Sequence, residues 1–236
     1  MLCYYITRRR KVKPRQSVKG EYLMNVYHAG DLFDFKHLAG NLLLSAAIAE
    51  ASAGKYRTLL PQANEGNKLR NANIRNGDLD MVMSCHLALL NFDGTDLDSG
   101  TVVEFMAAKM LDIPCVLLRT DFRNAGDQSV SADPWNLMCS GYPRSLTLKI
   151  NALALYNKLV TGPGDLDRYL REIARQVTAA MDEVSARPSL FGGNLRKAEE
   201  VYRWFVKSCG SDFEAQMTPE RIGAILREKA ELGLLS

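Results

Sequence analysis

Residues 85–118 read CHLALLNFDGTDLDSGTVVEFMAAKMLDIPCVLL, and this stretch decides the fold. Residues 85–92 and 113–118 are continuous apolar runs, residues 100–111 between them have helical spacing, and Asp93-Gly94 and Asp112 supply turns at the junctions. A strand that is apolar without alternation is covered on both faces, so a strand–helix–strand unit of this kind predicts a parallel sheet with helices on either side. The same alternation precedes it. Residues 23–28 read as a strand ending at Ala29-Gly30, 35–53 as a helix, 56–60 as a second strand stopped by Pro61, and 72–84 as a second helix. Downstream, 146–150 supply a fifth strand and 151–160 a helix. The expected fold is α/β, a doubly wound, Rossmann-like parallel sheet of about five strands.

Three segments follow from this reading: a basic N-terminal tail over 1–21, an α/β domain over 22–160, and a C-terminal helical appendage over 161–236. After Thr161-Gly162-Pro163-Gly164 the pattern becomes helical at 166–184, 195–208 and 219–232, the last capped by Thr218 and opened by Pro219. The amphipathic spacing of these helices suits covering a core and binding a partner equally.

At 236 residues, 47% hydrophobic and 24% charged, the chain has the composition of an ordinary globular protein with one core. Its net charge of +3 lies mostly in Arg8, Arg9, Arg10, Lys11, Lys13 and Arg15. The rest is near neutral, so no nucleic-acid polymer is the expected partner. The five cysteines are scattered and form no CxxC pair, which argues against a disulfide framework and a zinc site and for a reducing cytoplasm. The first residues, MLCYYITRRR, place their charges after a short apolar stretch rather than before a long one, and no run of about 18 apolar residues occurs, so neither a signal peptide nor a membrane span is expected.

A parallel sheet binds its ligand at the carboxyl ends of its strands, where Ala29-Gly30, 61–66, 93–100 and 120–126 gather. The informative loop is Asp93 to Glu104. Thr101 and Glu104 have the spacing of a capping box, a purely structural use. The same position also directs a carboxylate into the pocket, where it can attack a glycosidic carbon and form a covalent ester. The helix N-terminus would then favour its ionised form.

Val26-Tyr27-His28-Ala29-Gly30-Asp31-Leu32-Phe33, Pro61 to Glu65, Asp78-Leu79, Asp98-x-Gly100-Thr101-x-x-Glu104 and Asn136-Leu137-Met138 resemble, in that order, the signature segments of nucleoside 2-deoxyribosyltransferases. The likeness spans roughly residues 23 to 150. It implies Glu104 as nucleophile, Tyr27 as the hydrogen-bonding residue that orients it, and Asp78 as the group passing a proton to the departing base. It further implies Asp98 at the sugar hydroxyls, Glu65 at the base, where Gln62 or Asn64 could serve equally well, and Gly30 in the loop against the substrate. Asn136 and Met138 would reach across a subunit boundary, so a homo-oligomer is expected.

The substrates implied are a 2′-deoxynucleoside and a free nucleobase, with no metal or redox cofactor. His86 departs from the pattern, standing where an aspartate is common, and reads as structural. Trp135 reads as a loop anchor as readily as a ligand contact. Two rival functions are a nucleoside 5′-monophosphate N-glycosidase, with Arg119 or Arg123 as the phosphate's cation, and a non-catalytic nucleoside sensor.

Overall fold

The computed structural model describes residues 23–63, 71–124, 126–129 and 131–236. The basic tail and Glu65 lie outside these residues. Five strands form one parallel sheet: β1 (Met24–Ala29), β2 (Tyr56–Leu59), β3 (Leu87–Asn91), β4 (Cys115–Arg119) and β5 (Ser145–Lys149), in the order β2-β1-β3-β4-β5. Between and after them run α1 (Phe35–Ala51), α2 (Asn71–Ser84), α3 (Ser99–Met110), α4 (Ala152–Leu159), α5 (Leu166–Ser185), α6 (Leu195–Cys209), α7 (Phe213–Gln216) and α8 (Pro219–Glu231). Among the described residues, no helix is long and apolar enough to cross a membrane.

The period of two in a strand divides its side chains between two cores. Leu87 and Leu89 of β3 and Val116 and Leu118 of β4 enter one cluster with Ile48 of α1 and Ile173, Val177 and Met181 of α5. Ala88, Leu90, Cys115 and Leu117 enter the other with Val82 and Met83 of α2 and Phe105 of α3. Both strands are buried on both faces, which is why their sequences show no alternation.

The helices beyond residue 160 share these cores. α5 packs on α1, β4 and β5, and Tyr202 and Phe205 of α6, Phe213 of α7 and Ile222, Ile225 and Leu226 of α8 join the cluster under α2 and α3. The segment expected as an appendage therefore supplies covering layers for the sheet.

The strand order places the topological switch between β1 and β3, with α1 on one face and α2 and α3 on the other. Ligands of such sheets occupy the crevice at that point. Here the β1 loop runs close to the Asn91 side chain at the end of β3. A Cβ added at Gly30 would stand 3.1 Å from Asn91 Cβ, so a side chain there would have to push Asn91 back by a few tenths of an ångström.

Candidate active site

Glu104 reaches the crevice from the second turn of α3. Asp98 caps that helix: its Oδ2 accepts from the Thr101 amide (2.7 Å) and from Thr101 Oγ1 (2.8 Å). The capping box anticipated between Thr101 and Glu104 is therefore not the one formed, and Glu104 does not tie off its own helix. Its carboxylate accepts instead from Tyr27 Oη on β1, 2.5 Å from Oε1. Tyr27 is wholly buried, and burial followed by the charge of Glu104 raises its phenol well above the ordinary 10, so it acts as a donor.

Burial pushes the Glu104 carboxyl up to about 7. The Tyr27 hydrogen bond works in the opposite direction, and the nearby Asp78 and Asp98 carboxylates add to the rise. The ionised state expected from the helix N-terminus is thus not secured; the group is poised near neutrality.

The half-buried carboxylate opens onto a cleft of about 550 Å³ between Ile74, Arg75, Asp78 and Leu79 of α2 and Gly100, Val103 and Glu104 of α3. That volume accommodates a nucleoside. A second cleft of about 640 Å³ lies on the other side of the α3 N-terminus and shares Ser99 and Val103 with the first. Asn136 and Met138 line the second cleft, together with Asp96 and Trp135.

The structure thus brings Glu104, Tyr27, Asp78 and Asp98 together and sets Asn136 and Met138 apart from them within one chain. Asn136 is exposed and opens a short turn, its Oδ1 accepting from the Met138 amide (2.9 Å), and Met138 is 67% exposed. Gly30 lies against the Asn91 side chain at the end of β3. Glu65 lies outside the described residues.

Several neighbours have structural tasks. Trp135 is buried, its Nε1 donates to Ser140 Oγ (3.0 Å), and its ring meets Phe92 edge-on. His86 is buried; Nδ1 accepts from the Asn25 amide (2.9 Å) and Nε2 faces Glu228 of α8 (3.0 Å). The phosphate cations envisaged for the hydrolase rival are engaged elsewhere. Arg119 is buried and donates to the carbonyls of Phe92, Gly94, Asp121 and Arg123, and Arg123 pairs with Asp121. Sequence reasoning missed Arg75 on the cleft wall, although its position three residues before Asp78 puts both on one helical face.

Fold and site together define a doubly wound α/β protein with a tyrosine-held carboxylate at its switch point. The profile of the nucleoside 2-deoxyribosyltransferase family matches residues 26–143, half of the chain, and the protein belongs to that family. No curated protein matches it. Among solved structures, it is similar to a conserved protein from Enterococcus faecalis at 21% identity, over 64% of this chain and 99% of that one, with a TM-score of 0.41. A 2-deoxyribosyltransferase from Bacillus psychrosaccharolyticus matches at 16% identity, over 54% and 85% of the two chains, with a TM-score of 0.42. One from Leishmania mexicana matches at 22%, over 50% and 86%, also at 0.42.

Proposed function

We propose that the protein exchanges the base of a 2′-deoxynucleoside through a deoxyribosyl ester on Glu104. The observation that carries this reading is the Tyr27–Glu104 hydrogen bond at the wall of a nucleoside-sized cleft that also holds Asp78. Tyr27 occupies Oε1, which fixes the carboxylate and leaves Oε2 to approach the anomeric carbon. As that C–O bond forms, the bond from C1′ to the base nitrogen breaks, and Asp78 passes a proton to the departing base. A second base then attacks C1′, its proton returns to Asp78, and Glu104 is released as carboxylate.

Two easier displacements replace one difficult step, and water in place of the second base gives hydrolysis. Asp98, beside the nucleophile, contacts the sugar hydroxyls, and the Gly30 loop closes the sugar side; the base contact expected of Glu65 falls outside the described residues. In this reading a partner subunit completes the pocket with Asn136 and Met138, whose exposure suits such a role, and the enzyme works in the cytoplasm on nucleosides being salvaged.

The test incubates the native chain and Glu104→Ala with a deoxynucleoside and a second free base. The native chain yields the exchanged nucleoside and, on quenching, a deoxyribose adduct on the peptide containing Glu104. The variant loses exchange by at least about 1,000-fold, on the order of removing a nucleophile. Equal exchange by both proteins would exclude Glu104 as the attacking group.

A further inference from the structure

We propose that Arg75 reads the nucleobase in the Glu104 cleft and selects bases with adjacent oxo and ring-nitrogen acceptors, 6-oxopurines ahead of 6-aminopurines. The proposal rests on the deoxyribosyl-transfer reading and names the substrate class of that site.

Arg75 and Asp78 lie three residues apart on α2 and both line the cleft opposite Glu104. With the sugar carbon at Glu104 and the proton carrier at Asp78, the base lies along α2, within reach of the guanidinium. Ile74, Leu79 and Val103 give that part of the cleft apolar walls suited to the faces of a ring. Arginine is then the residue that distinguishes the ring's edges, because it carries five N–H donors and no acceptor. A 6-oxopurine presents O6 and N7, two acceptors that a guanidinium can engage together; a 6-aminopurine presents N7 beside an amino donor, which opposes it. The positive charge also stabilises the negative charge that develops on a departing oxo base.

The side chain is braced for this use. Its Nη2 donates to the carbonyl of Cys209 (2.5 Å), the last residue of α6. This carbonyl lies beyond residues 26–143, so the brace comes from the part of the chain outside the family match. One donor is spent on fixing the fork, which lowers the ordering cost of binding a base.

The experiment measures kcat/KM for deoxyinosine and deoxyadenosine with a common acceptor base, using the native protein, Arg75→Ala and Arg75→Lys. Equilibrium binding of free hypoxanthine and adenine to Glu104→Gln and to Glu104→Gln/Arg75→Ala runs alongside. The native protein favours deoxyinosine by about 10-fold or more, and Arg75→Ala lowers that substrate by about 10- to 100-fold while deoxyadenosine changes by less than about 3-fold. Arg75→Lys falls between, since it keeps the charge and loses the fork. No preference in the native protein, or equal losses for both substrates, overturns the proposal. If neither nucleoside is turned over, the transfer reading fails, and the binding arm still decides Arg75. Hypoxanthine selectivity abolished by Arg75→Ala sustains base reading, and equal binding of the two bases ends it.

Discussion

At Glu104 two opposing influences act on one carboxyl, and their magnitudes decide which prevails. A helix N-terminus favours a nearby carboxylate by about 0.3–1 kcal/mol and loses its reach beyond the first turn. Moving the carboxyl from its ordinary 4.5 to about 7 corresponds to about 3 kcal/mol. Burial wins, partly because Asp98 starts the helix early enough to place Glu104 on the second turn. In the proposed role Glu104 must be ionised to attack, so kcat/KM is expected to rise with pH through an apparent value near 7. Tyr27 is the group that holds this value down. Tyr27→Phe therefore shifts the rising limb to higher pH and lowers kcat/KM at pH 7 by about 10-fold or more, since general positioning and proton effects reach this size. A pH–rate profile of the two proteins checks both parts; an unmoved limb would mean that the hydrogen bond does not set the nucleophile's ionisation.

The helix α2 shows how an element that carries one proposed catalytic group is positioned by others far away in sequence. Asp78 lies among three contacts to the C-terminal helices: Arg75 to the Cys209 carbonyl, Asn76 Nδ2 to the Ser211 carbonyl (2.8 Å), and Asp80 to Arg221 of α8 (2.6 and 2.7 Å). These contacts differ in worth. Arg221 is exposed and Asp80 keeps a bond from Ser84 Oγ, so Arg221→Ala costs less than about 1 kcal/mol. Asn76 is buried, so Asn76→Ala removes a shielded hydrogen bond together with side-chain packing, costing about 1–3 kcal/mol. Urea denaturation of the two variants measures this difference, and a larger loss for Arg221→Ala would reverse the ranking.

These contacts also mark the limit of what the chain's local pattern discloses. Each strand and each principal helix is legible from apolar runs, helical spacing and turn residues such as Asp112 and Pro219. Tyr27, Asp78, Asp98 and Glu104 are legible from their segments. The role of Arg119 is not, because the carbonyls it satisfies are settled only when the β3 and β4 loops meet. Asp98 rather than Thr101 as the cap depends on where the helix starts, which spacing leaves free by a residue or two. The bracing of Arg75 needs Cys209, a contact spanning more than a hundred residues.

At the scale of the whole molecule, the family match ends at residue 143, while the cores do not. α5 covers the face of the sheet that bears Leu89, Val116 and Leu118, and α6 to α8 complete the other. Four large side chains of α5 alone, Ile173, Val177, Met181 and Val184, are buried. At about 1.5–3 kcal/mol for each, their burial contributes about 6–12 kcal/mol. This is comparable with the whole stability of a domain, about 5–15 kcal/mol. A chain ending at residue 160 is therefore expected to expose apolar sheet, bind a hydrophobic dye and lose the cooperative thermal transition of the full protein. Calorimetry and dye fluorescence on the truncated and full chains provide the check. A sharp two-state melt of the truncated chain would establish residues 22–160 as a self-sufficient domain and reduce the C-terminal helices to an accessory of it. Loss of cooperativity would make them part of the scaffold that holds Asp78 opposite Glu104.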